Sequence, residues 1–319
     1  MQVARVVVAL TLLVTCGCGG AAQSGSDTPA VPAANEASLD IVTNSIGMQL
    51  VRIPAGKFMM GTVGADPTKS DEAPAHQVKL KSYYLGRTEV TKGQFAKFVA
   101  ATNYKTEAEK SGSGGTGIAQ PYGKESGLSW RSWGFADGDY HPVVNVSWND
   151  AVAFCEWLSK TEGKQYSLPS EAEWEYACRA GTMTKYFNGD DKDAVAKVGI
   201  VIDKTFAAGP PALVKYSSPS KLDDGYLYTA PVARFAPNKF GVYDMHGNVE
   251  EWCLDSWYDY EAKPATDPVH REPSNERVYR GGSWYCDLAN VASAYRGKQE
   301  PDDSFCYTGF RVRLEAPQK

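Results

Sequence analysis

Arg280-Gly281-Gly282-Ser283-Trp284-Tyr285-Cys286, answered by Gly309-Phe310-Arg311-Val312 near the end of the chain, decides how this sequence is read. The stretch sets a thiol in the same short segment as a glycine pair and a hydroxyl. A thiol beside a hydroxyl can be a reactive centre. The next cysteine, Cys306, lies twenty residues on, so the same segment can equally be a centre that has lost a partner thiol.

Upstream, Arg5 precedes the apolar run Val6–Val14, which has signal-peptide length and is too short to span a bilayer. It ends in Thr15-Cys16-Gly17-Cys18-Gly19-Gly20, which resembles a bacterial lipoprotein cleavage site. Cys16 has Leu13 and Val14 well placed before it, and Cys18 has the small residue Gly17, so the lipidated residue is Cys16 or Cys18. Residues 1–18 are read as the signal peptide. Residues 19–40, rich in Gly, Ala, Ser, Pro and Asn, are read as a flexible tether, because such a segment cannot bury enough apolar surface to offset its ordering entropy. The expectation is an exported protein, anchored to a membrane through its lipid alone and facing the periplasm or cell surface. A net charge of −5 argues against a nucleic-acid partner.

From residue 41 to 316 no second linker or repeat interrupts the chain, so this length is read as one domain. Its segments are short, aromatic and broken by Gly, Pro and Asn, the pattern of an irregular α+β domain. Three helices are expected. One begins at the capping Thr91 and sets Phe95, Phe98 and Val99 on one face. Another begins at Asn149 as cap and groups Ala151, Phe154, Cys155 and Leu158. The third spans Glu171 to Ala177 behind the cap Ser170.

Several ordered stretches carry a resemblance. They are Met48 to Gly61, read as one opening strand; Glu89-Val90-Thr91; His141-Pro142-Val143-Val144-Asn145-Val146-Ser147-Trp148; Leu168 to Ala177; Gly241-Val242-Tyr243-Asp244-Met245-His246-Gly247-Asn248-Val249; and the two terminal motifs. Together they resemble the sulfatase-modifying factor family, the formylglycine-generating enzyme superfamily. The resemblance implies an irregular C-type-lectin-like fold with little regular secondary structure. Fold alone does not give function, because the family holds copper-dependent oxidases, iron-dependent sulfoxide synthases and members without known chemistry.

In the oxidases two cysteines five positions apart hold Cu(I) as a bis-thiolate, which suits a soft ion. Cys286 matches the first position, Ser283 matches the serine lining the oxygen and substrate site, and Val291 stands where the second thiol is expected. Glu250 stands where the family has Trp, so an aromatic wall of the substrate groove is missing. The four histidines, His76, His141, His246 and His270, show no helical metal-pair spacing, and no helical domain is attached to complete a three-histidine iron site.

The resemblance also implies Ca²⁺ held by Asp244, Glu251 and the carbonyls of Gly247 and Val249, oxygen donors that suit a hard cation. A second calcium set would use Asp224 and the Tyr226 carbonyl, with Gly199 where its asparagine partner is expected. Cys155 and Cys178 match positions that form disulfides in the family, with Cys306 as the candidate partner of one of them. Trp130, Trp133, Trp284 and Tyr285 are candidate groove residues, each also able to serve as core. The insert from Lys105 to Asp139 carries no readable preference.

Two readings follow. One is a calcium-stabilised, non-catalytic lipoprotein that binds a peptide, glycan or envelope protein, with a degenerate copper site. The alternative is a formylglycine-generating-type oxidoreductase acting on a cysteine of a sulfatase or related peptide, with Cys286 and Ser283 at its centre.

Overall fold

The computed structural model describes residues 38–207 and 219–317; the signal segment, both lipidation candidates and the tether up to residue 37 lie outside the described residues, while Asp40 at the tether's end already accepts the Arg52 N–H at 2.8 Å. The first half of the chain builds β1 (Ile41–Thr43), β2 (Gln49–Ile53), β3 (Gly56–Met60), β4 (His76–Leu80), β5 (Tyr83–Gly86), α1 (Lys92–Thr102), α2 (Glu107–Lys110), β6 (Gly115–Gly117), β7 (Gln120–Glu125) and α3 (Trp148–Glu162). The second half adds β8 (Tyr166–Ser167), α4 (Glu171–Arg179), α5 (Lys204–Ala207), β9 (Glu250–Ser256), β10 (Ala265–Thr266), β11 (Arg277–Arg280), β12 (Gly297–Gln299), β13 (Thr308–Gly309) and β14 (Arg313–Glu315). Long connections between short elements make this the low-regularity α+β arrangement expected from composition.

A sheet ordered β1-β2-β5-β14-β8 sews the two ends of the domain together, with β14 antiparallel to both β5 and β8. A second sheet, β12-β11-β9-β13, carries the decisive motifs. Arg280, at the end of β11, lies opposite Glu251 of β9, while on the other side of β9 Thr308 pairs with Glu250 and Gly309 with Glu251. The two motifs that are distant in sequence therefore flank one buried strand. Alternation along a strand sends Glu250 and Glu251 to opposite faces, and the site is built on that division.

The helices follow the sequence with two adjustments. Thr91 caps α1 in a reciprocal capping box with Gln94, and Phe95, Phe98 and Val99 are its buried face. α3 starts earlier than expected: Ser147, not Asn149, is its cap, and Asp150 closes the box by accepting from the Ser147 N–H. The apolar stripe Ala151, Phe154, Cys155, Leu158 is buried as expected. α4 is capped by Ser170 and runs on to Arg179, because Arg179 pairs with Glu175 one turn back (Nε–Oε1 2.8 Å). Met48 to Gly61 forms two strands, β2 and β3, rather than one, since Pro54 supplies no backbone donor between them.

The insert that was silent in the sequence holds α2, β6 and β7 and buries Trp130 and Trp133. All five described cysteines are free thiols. Cys155, Cys178 and Cys306 sit in three separate apolar clusters, so the disulfide expected from the resemblance is not formed. Among the described residues no helix is long and apolar enough to cross a membrane.

Candidate functional site

Gly281 and Gly282 both take left-handed backbone conformations, φ 92° and 63°. At Gly282 a Cβ would fall 2.7 Å from the Asn290 carbonyl oxygen and from a Val291 methyl, so glycine is required for the turn that presents Ser283. Ser283 is fully buried. Its hydroxyl lies 3.3 Å from the Cys286 sulfur. What the sequence did not reveal is the third group. The Cys286 thiol donates to Glu250 Oε1 at 3.4 Å, and Thr308, opposite Glu250 in the β9–β13 pair, donates to Oε2 at 3.2 Å. Burial pushes the Glu250 carboxyl up to about 8. Burial first, and then the nearby Glu250 wherever it is ionised, pushes the Cys286 thiol well up, which keeps it from being a ready nucleophile.

Val291 is buried in an apolar cluster with Tyr186, Val195 and Leu288, against which Cys286 also packs, and its carbonyl accepts from His246 Nδ1 at 2.7 Å. The polar groups on the Cys286 sulfur are thus a hydroxyl and a carboxyl, not a second thiol. Tyrosines surround the centre. Tyr122, on β7 and 71% exposed, stands 5.5 Å from Tyr285 and 5.9 Å from Tyr307 between ring centroids. Tyr285 and Tyr307 stack at 5.9 Å. Trp130, Trp133 and Trp284 are core residues, so of the four candidate groove aromatics only Tyr285 is part-exposed.

In the first expected calcium set both acids have protein partners. Asp244 and Glu251 are both buried, and Asp244, Gly247 and Asn248 all have positive φ, which folds the loop into a tight turn. Both Glu251 oxygens, however, face the Arg311 guanidinium (Oε2–Nε 2.5 Å, Oε1–Nη2 2.6 Å), and Trp174 Nε1 donates to Oε2 at 2.8 Å. Asp244 Oδ2 accepts the Ala233 N–H at 2.7 Å. A carboxylate that the sequence reading left unassigned, Glu89, joins them. Its Oε1 accepts from Asn248 Nδ2 at 3.0 Å and its Oε2 is buried without a partner.

Three buried carboxylates therefore face one guanidinium. Burial raises Glu89 well above the carboxylate range, and burial likewise raises Asp244 to about 6. Such a site takes up protons or a hard cation. If calcium binds here, Asp244 and the donorless Glu89 Oε2 are the side-chain oxygens that would hold it, with Glu251 serving Arg311.

The second set fits a cation poorly. Both Asp224 oxygens accept backbone N–H groups, from Val201 and from Tyr226, each at 2.9 Å. At Gly199 a Cβ would fall 1.7 Å from the His246 carbonyl oxygen, so no asparagine side chain can stand there. Asp203, the other acid nearby, accepts from the Phe206 and Asp224 N–H groups at 2.9 and 2.6 Å. Among the described residues no three His, Cys, Asp or Glu side chains are grouped to hold a metal. His246 in particular is committed by both ring nitrogens, to Val291 and to the Phe187 N–H, and burial lowers it to about 4.

Residues 40–316 match the model of the sulfatase-modifying factor enzyme 1-like domain. The chain belongs to that family. It is 33% identical to the formylglycine-generating enzyme of Mus musculus, over 96% of this chain and 88% of that protein. It is 29% identical to the inactive C-alpha-formylglycine-generating enzyme 2 of the same organism, over 84% of this chain and 86% of that protein. Among solved structures, PvdO from Pseudomonas aeruginosa superposes with a TM-score of 0.65 at 29% identity, covering 87% of this chain and 98% of PvdO. The fold is the C-type-lectin-like fold of this sulfatase-modifying factor family. Relatives named as active and as inactive both lie within reach, so the residues around Cys286 carry the functional reading.

Proposed function

We propose that this family member is an exported, lipid-anchored and calcium-stabilised binding protein of the bacterial envelope, without formylglycine-generating chemistry. The observation that carries the reading is the surroundings of Cys286. A bis-thiolate copper site needs two soft sulfurs, and here the partners of the single sulfur are Ser283 and Glu250, while Val291 brings only a hydrocarbon side chain to the apolar cluster against which Cys286 packs. The binding face would be the tyrosine group around Tyr122, whose exposed ring over Tyr285 and Tyr307 suits a peptide or glycan. Calcium would act at Asp244 and Glu89, where it neutralises buried acid and fixes the Gly247 turn. The export signal and lipid anchor rest on the N-terminal sequence.

Three measurements test this. Purified mature protein incubated with Cu(I), oxygen and a sulfatase-derived cysteine peptide should give no aldehyde product by mass spectrometry; formylglycine formation would overturn the reading. Chelation of calcium should lower the melting temperature, and an Asp244→Ala variant should no longer respond. Mass spectrometry of the native N-terminus should find a diacylglyceryl cysteine at Cys16 or Cys18.

The second reading, an oxidoreductase modifying a sulfatase cysteine, draws on the retained Cys286–Ser283 contact and on 33% identity to the mouse formylglycine-generating enzyme. Tight Cu(I) binding lost in Cys286→Ala would favour it.

A further inference from the structure

Beside the first turn of α1 lies a cavity of about 420 Å³ that the group around Cys286 does not line. Its charged lining is two cations, Arg87 and Lys97, against one acid, Asp139, with Gln49, Thr88 and Tyr140 adding polar groups. Arg87 is the fixed member, 4% exposed, with its guanidinium carbon 5.2 Å from the centre of the Tyr243 ring. It donates from Nε to the Gly241 carbonyl at 3.2 Å and from Nη1 to Gln49 Oε1 at 2.8 Å. A third bond runs from Nη2 to the Tyr243 hydroxyl at 3.3 Å. A guanidinium held this deep favours an anion alongside it, because opposite charges attract more strongly away from water.

The chain itself brings a carboxylate to this place. Leu39 packs so closely on Gly241 that a Cβ there would fall 2.5 Å from Leu39 Cδ1. Gly241 is also the acceptor for Arg87 Nε, so the described chain enters at the edge of the cavity. Glu36 stands three residues before Leu39, and three residues span at most about 10 Å. Between residues 19 and 37 the charged side chains are Asp27 and Glu36, both acids. An acidic segment thus leads to a cavity with an excess of positive charge.

We propose that the Glu36 carboxylate docks in this cavity against Arg87 and pins the tether to the domain beside α1. Little ordering is needed, because Glu36 lies close in sequence to Asp40, whose carbonyl already accepts the Arg52 N–H at 2.8 Å. The length of tether free to reach an anchor then ends at Asn35, and the face around α1 is turned toward whatever holds the N-terminus. The dock depends on neither the lipid reading nor the calcium reading.

The test is limited proteolysis of the full-length, unlipidated chain with a glutamate-specific endoproteinase, in a buffer where it also cuts after aspartate. The protease must take the side chain it cuts behind, so a docked Glu36 has to leave the cavity first, and the cleavage rate follows the undocked population. Cleavage after Asp27 is the internal reference. Gln49→Glu sets a competing carboxylate on Arg87 without removing a buried group. It should speed cleavage after Glu36 by about tenfold and leave cleavage after Asp27 unchanged. Lys97→Glu, which reverses a charge at the cavity rim, should give a smaller gain in the same direction. Equal cleavage after Glu36 in wild-type and Gln49→Glu protein would overturn the dock. So would wild-type cleavage after Glu36 as fast as after Asp27, which would leave the cavity to a carboxylate from outside the chain. Protection that is lost on dilution would place Glu36 in a second copy and overturn it equally.

Discussion

Two buried acid clusters, one on α4 against β11 and one at the start of β9, meet the same sheet and are treated in opposite ways. In the first, Arg280 reaches Glu175 and the carbonyls of Ser293, Ala294 and Tyr295, Arg296 grips Glu171 at 2.6 and 2.9 Å, and Arg179 takes the other Glu175 oxygen. Each charge has its opposite and each carbonyl a donor. In the second, Glu250 and Cys286 share one weak hydrogen bond and no cation. The first cluster is spent on fixing the loop 293–296 behind the site. The second is left with bonding capacity that only a ligand or protons can satisfy.

The comparison breaks if the two clusters respond alike to mutation. Arg280→Ala would leave one Glu175 oxygen and three carbonyls without their donor, and removing one partner of a buried ion pair costs about 3–5 kcal/mol; denaturant unfolding should record a loss of that size. Gly282→Ala places a Cβ 2.7 Å from a carbonyl oxygen at a left-handed position, and a loss of about 1–3 kcal/mol is expected in the same measurement. Cys286→Ala removes a half-buried sulfur and a weak hydrogen bond, so about 1 kcal/mol should be lost. Glu250→Gln should be the mildest, within about 1 kcal/mol of neutral in either direction, because a carboxyl without a cation contributes little to stability. A loss above about 2 kcal/mol in that last variant would mean that Glu250 belongs with the structural cluster.

Much of the fold was legible. The caps Thr91 and Ser170, the stripe Phe95-Phe98-Val99 and the stripe Ala151-Phe154-Cys155-Leu158 are local signals, set by hydrogen bonds and spacings within a few residues. The missed cap at Ser147 was also local, because a serine three residues before Asp150 is a capping-box pattern. Cys286 and Ser283 were legible for the same reason: they are three residues apart on one glycine turn. The partners of the acids were not. Glu250 and Glu251 are adjacent in sequence, yet one faces a thiol and the other an arginine sixty residues away, Arg311. Nor could cysteine positions reveal that Cys155, Cys178 and Cys306 lie in separate clusters.

The sequence by itself determined the family, the caps Thr91 and Ser170 and the absence of a second thiol at Val291, since each is written in residue identity or short-range spacing. Only the tertiary structure decided that Glu251 serves Arg311, that Glu89 joins Asp244, and that Glu250 meets Cys286. The reason is the pleat of β9. It turns neighbouring side chains to opposite faces, and what waits on each face is set by strands and loops brought in from elsewhere in the chain.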